Sequence, residues 1–211
     1  MTPQHIEALI SQIKESEHRW KALYMATWGE SYRVKEKYEN TPLWEMPLAL
    51  GLPASKNKYH IFSSAQYFHN ILVTRDGEIA LNHMTTMLSL LEKLVKEFRR
   101  YKYPNEEPLN TGKRNVLVKF LKDYGFLLEE EEMEFRLAGE TRNCVVHNGH
   151  VMDDRWLQAY SNARNASFLT MITTDLYRAV RLPQVEEWHQ LFFRITERIE
   201  NSFKDESAVN S

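Results

Sequence analysis

The chain has one cysteine, Cys144, which excludes an internal disulfide framework and suits a reducing compartment. It also lacks any run of about 18 apolar residues, so no membrane span is expected. Residues 1–20 carry charges throughout instead of the apolar stretch of a signal peptide, and the expected location is cytoplasmic. An excess of one charge is missing too: 27 Lys+Arg against 29 Asp+Glu leave a net −2. That excludes a globally basic nucleic-acid binder and confines any phosphate-binding surface to a local patch. Internal repeats and low-complexity segments are absent. What is present, 211 residues of which 43% are hydrophobic and 27% charged, is enough for one substantial core in an ordinary globular protein.

Missing residues also dispose of several motifs. Gly112-Lys113 would suit a phosphate-binding loop only with glycine five positions before the pair, and Glu107 stands there. His147, His150, Asp153 and Asp154 invite a metal, but Gly149 should break the helix that would align the two histidines, and no fourth ligand is suitably spaced. Glu129 to Glu132 are contiguous and point in different directions around a helix, where they complement its positive end instead of chelating. Neither a metal nor a cofactor is therefore expected. Asn165-Ala166-Ser167 matches a glycosylation sequon, which without a secretory signal is accidental.

The apolar spacing predicts an all-α protein. Thr2-Pro3 opens a helix with Ile6, Leu9, Ile10, Ile13, Trp20 and Leu23 on one side, closed or bent at Gly29, and a more charged helix follows over 32–39. Pro42, Pro47, Gly51 and Pro53 break up residues 40–58, whose Trp44, Met46, Leu48 and Leu50 anchor that connection against the body. Residues 59–73 read as helix or strand, with Ser63-Ser64 able to cap a short helix, and Asp76-Gly77 as a turn. Strong stripes then mark helices near residues 78–101, 114–127, 130–149 and 184–203, the last opened by Pro183, and their spacing places Val116 and Met133 on the buried sides of the second and third. Residues 156–166 read as irregular, Thr173-Thr174-Asp175 as a cap for 176–181, and 205–211 as a frayed polar tail. The organisation expected is an N-terminal appendage over 1–58, a helical domain over 59–204, and the tail.

The chemistry concentrates at Glu140-Thr141-Arg142-Asn143-Cys144-Val145-Val146-His147-Asn148-Gly149. Arg presents a permanently charged fork suited to phosphate, and His exchanges a proton near neutral pH. On a helix, Asn143 and His147 share a face about 40° apart, whereas Arg142 lies about 140° from His147, so one helix leaves the site incomplete. The bland alternative is that Gly149 ends the helix, His147 interacts with its negative end, and Arg142 pairs with a carboxylate of the acidic run. Cys144 is read as a small apolar residue, because no third group is evident to orient a Cys144–His147 couple.

Arg142-Asn143, three residues, then His147-Asn148-Gly149 resembles the Arg-polar-x3-His signature of HEPN domains. The resemblance covers the motif closely and the flanking helices loosely. It implies a helical bundle that dimerises with two motif helices facing one another across a cleft. It also implies metal-independent endoribonuclease activity, in which a 2′-hydroxyl attacks the adjacent phosphate to leave 2′,3′-cyclic phosphate and 5′-hydroxyl ends. His147 would move the proton, Arg142 would stabilise the transition state, and Asn143 would orient phosphate or His147. Glu140, one turn before the motif, would hold Arg142 in position. Arg99, Arg100, Lys113 and Arg114 form the local candidate for guiding RNA. Members serve as toxins or antiviral effectors, often under a regulatory or antitoxin partner. The alternatives of another class are a non-catalytic dimerisation or binding module and a nucleotide-binding partner of a nucleotidyltransferase.

Overall fold

A computed structural model describes residues 3–38, 64–111, 113–164, 176, 180 and 182–209. Among these residues the chain is all-α, with six α-helices and no strand. They are α1 (Pro3–Tyr38), α2 (Ser64–Lys102), α3 (Arg114–Asp123), α4 (Glu132–His147), α5 (Asp154–Arg164) and α6 (Leu182–Val209). A short 3-10 turn, Glu129–Glu131, leads into α4. None of the described helices is long and apolar enough to cross a membrane. The anchored connection over 40–58, the sequon and the cap at 173–175 lie outside the described residues.

Helices α1, α2 and α6 pack together around Ile6, Ile13, Trp20, Met84, Leu88, Leu91, Trp188 and Ile195, all essentially buried. The stripe predicted for residues 78–101 is the spine of α2, but that helix starts far earlier and runs straight through Asp76-Gly77. Gly77 is buried rather than in a turn. Its cost of about 1 kcal/mol against alanine is small beside the burial of the stripe that follows. Gly29 likewise lies inside α1, which continues to Tyr38 without a break. At the other end, α6 continues through residues 205–209, where the polar sequence predicts a frayed tail.

Residues 156–164 are regular, not irregular. The segment 154–164 is helix α5, capped by Asp153, whose Oδ1 accepts from the Trp156 N–H at 2.9 Å. Trp156 is fully buried, and its Nε1 donates to Thr141 Oγ1 of α4 at 2.8 Å, tying the two helices together beside the motif. At the opposite end of α4, buried Glu131 accepts from Arg194 and Arg198 of α6 and from the Leu128 N–H. Burial alone would raise this carboxyl's pKa, but the hydrogen bonds outweigh it and hold the group below its ordinary value. Helix α4 is thus pinned at its start to α6 and near its end to α5.

Candidate functional site

Helix α4 carries the motif on its last two turns. It ends where Gly149 takes φ 58° and His150 φ 66°, while the Asn148 and His150 N–H groups both donate to Cys144 O, at 3.2 and 3.0 Å. Gly149 is therefore the helix-ending glycine the sequence implies. Cys144 is buried, and burial pushes its thiol up, which suits packing and not nucleophilic attack. No cluster of three or more metal-ligating side chains occurs among the described residues.

His147 stands exposed on the final turn, and its imidazole makes no hydrogen bond or ion pair with the described residues. Two apolar side chains close to it in sequence, Val146 and Val151, are 49% and 51% exposed. One turn earlier, Asn143 donates through Nδ2 to Glu140 Oε2 at 3.1 Å. Glu140 therefore binds Asn143, and the carboxylate that faces Arg142 is another one.

That carboxylate is Glu92, on α2, and not a member of the acidic run at 129–132. Arg142 Nη2 lies 3.9 Å from Glu92 Oε2, and Arg114 Nη1 lies 3.3 Å from Glu92 Oε1. Two guanidinium groups thus share one carboxylate. The Arg142 contact is long, and its Nε is enclosed without a hydrogen-bond partner. Arg114 is the more enclosed of the two. Burial lowers its pKa, Glu92 and Glu140 raise it, and Arg142 lowers it again, but a guanidinium remains charged throughout.

Arg114 reaches this position because α4 has no side chain beneath it. Its guanidinium lies over Gly139 and sits 5.8 Å from the Phe135 ring centroid. A Cβ on Gly139 would stand 2.5 Å from Arg114 Cζ. Gly139→Ala should therefore push Arg114 off Glu92 and destabilise the fold by about 1–3 kcal/mol, despite alanine's better helix propensity of about 1 kcal/mol. Urea unfolding checks this. With Arg114 already replaced by Ala, the same Gly139→Ala change should become neutral or stabilising.

The other sites predicted from sequence scatter. Arg99 pairs with Glu106 at 2.9 Å, and Arg100 lies exposed 3.7 Å from Glu97, both near the end of α2. Lys113 and Arg114 instead line an open groove of about 770 Å³ between α3, α4 and α5. The groove also explains two misread apolar residues. Val116 and Met133, assigned to the core by their spacing, are 37% and 45% exposed and form part of its lining. No family model matches the chain, and no curated protein or solved structure is significantly similar to it.

Proposed function

We propose that the chain is a metal-independent endoribonuclease of HEPN type, active as a homodimer. The observation that carries this reading is the state of His147: exposed, without an ion pair or hydrogen bond among the described residues, and on the helix face it shares with Asn143, with exposed Val146 and Val151 close to it in sequence. A second copy covering Val146, His147 and Val151 would desolvate the site and bring two motif helices together. Arg142 is only loosely committed, because its contact with Glu92 is 3.9 Å long and that carboxylate is shared with Arg114.

In this reading the RNA 2′-hydroxyl loses its proton as its oxygen attacks the adjacent phosphorus, and the 5′-oxygen leaves with a proton. His147 serves one of these transfers, as base or as acid. Arg142 stabilises the charge gathered on the phosphorane-like transition state. Asn143, held by Glu140, orients phosphate or imidazole. Toxin or antiviral action in the cytoplasm under a regulatory partner belongs to the same proposal. Incubation with cellular RNA and transfer RNA in EDTA, followed by mapping of the ends, tests it. Cyclic-phosphate and 5′-hydroxyl ends are expected, and intact RNA would count against it.

One observation favours a second reading. Arg142 faces an internal carboxylate, as a structural ion pair would, and a dimerisation or binding module without chemistry would need nothing more.

A further inference from the structure

The floor of the groove is a stripe of α4: Met133, Arg136 and Glu140. Positions 133, 140 and 147 are seven residues apart, so each lies about 20° from the last around the helix and about 10 Å further along it. The stripe therefore leads from the groove to His147, with Asn143 between them. A ligand lying along this face of α4 has its next segment at the motif.

The lining indicates what that ligand is. Arg136 is engaged by Glu132 and Asn115, both at 2.7 Å, and Arg114 by Glu92. Lys113 on the α3 bank and Arg155 on the α5 bank are different: both are exposed and make no ion pair among the described residues. Two uncommitted cations on opposite banks suit phosphates of one strand. Val116 and Met133 offer exposed apolar surface for a base. Gln158 and the carboxylates of Glu140 and Asp154 can accept from base amino groups or ribose hydroxyls, while those same carboxylates oppose the denser phosphates of a duplex.

From this we infer that the groove seats single-stranded RNA beside the bond to be broken, with Lys113 and Arg155 on its phosphates. The inference rests on the ribonuclease reading for its direction towards His147, but its test does not depend on cleavage. The probe is a fluorescent single-stranded RNA made uncleavable by 2′-O-methylation, titrated by anisotropy against the full chain over a range of salt. The double variant Lys113→Ala/Arg155→Ala should bind about tenfold or more weakly near 0.1 M salt, and its log–log salt slope should fall by about 1.4, or about 0.7 per lost phosphate contact on a single strand. Lys93→Ala/Lys96→Ala removes the same charge from exposed positions of α2 outside the groove and should retain wild-type affinity.

Equal losses from the two double variants, or no measurable binding by the unmutated chain, would overturn the groove assignment. So would unchanged binding by Lys113→Ala/Arg155→Ala in a protein that cleaves RNA, which would leave the nuclease reading standing. Groove-dependent binding by a chain that cleaves nothing would support the groove and sink the nuclease instead.

Discussion

His147→Ala is expected to lower RNA cleavage by about 10²–10⁴-fold, the range a positioned general acid or base contributes. Because His147 is exposed and its side chain has no partner among the described residues, the same change should move folding stability by no more than about 0.5 kcal/mol. Arg142→Ala should cost about 10²–10³-fold in the rate constant at saturating RNA. Arg142→Lys should recover little, since an ammonium keeps the charge but loses the fork that grips two phosphate oxygens. Stability should respond differently to Arg142, because its loss leaves Glu92 with Arg114 alone. Single-turnover cleavage beside urea unfolding separates the two effects. A His147→Ala protein that cleaves at the wild-type rate would remove His147 from the chemistry.

Acidification from pH 6.5 is expected to unfasten the bundle far from the motif. His189 of α6 is 1% exposed, neither ring nitrogen has a hydrogen-bond partner, and its imidazole lies nearly parallel to Trp20 of α1 at 4.7 Å and to His83 of α2 at 4.9 Å. Burial, and secondarily the neighbouring His83, push its pKa down to about 3. His83 is also lowered by burial, against a hydrogen bond to Ser16 O that raises it. Nearby carboxylates are engaged elsewhere: Glu186 accepts from Trp20 Nε1 at 2.6 Å, and Glu17 pairs with Lys21 at 2.5 Å.

The unfolded chain therefore takes up a proton near pH 6.5 that folded His189 refuses until about pH 3. Stability is fully present above pH 6.5 and is lost as pH falls through that window, by up to about 5 kcal/mol in all and about 1–2 kcal/mol by pH 5. Carboxylates held below their ordinary values, such as Glu131 and Glu200, add their losses only at lower pH. His189→Phe keeps an aromatic ring in the stack at some cost in overpacking. Its urea midpoint should change much less between pH 6.5 and 5, and a slope equal to the wild type's would refute this origin.

What the sequence revealed depended on whether the signal was local. Helices α2, α3, α4 and α6 announced themselves through apolar stripes, and Gly149 through its place after the last turn. Asp76-Gly77 and Gly29 misled because turn chemistry is a local preference, which burial of the flanking stripes overrides. Helix α5 was missed although Asp153 preceding Trp156, Tyr160 and Ala163 is a capped stripe; its many polar residues concealed the spacing. Val116 and Met133 had core spacing but face a groove, which only the arrangement of three helices creates.

The motif itself was legible as a string of residues, but its surroundings were not. Glu92 lies fifty positions before Arg142, and nothing near either residue signals their approach. The same holds for Arg114 on Gly139, and for three aromatic rings drawn from α1, α2 and α6. Such contacts follow from packing, so sequence reasoning could single out Arg142 and His147 as candidates without finding the carboxylate that one of them faces.

The measurement that bears most directly on 2′-hydroxyl chemistry at the end of α4 compares one RNA oligonucleotide with its 2′-O-methyl counterpart, in EDTA, with the product ends identified by mass. Cleavage of the unmodified strand alone, leaving cyclic-phosphate ends, is the predicted result. An unmodified strand left intact, or both strands cut alike, would contradict the account.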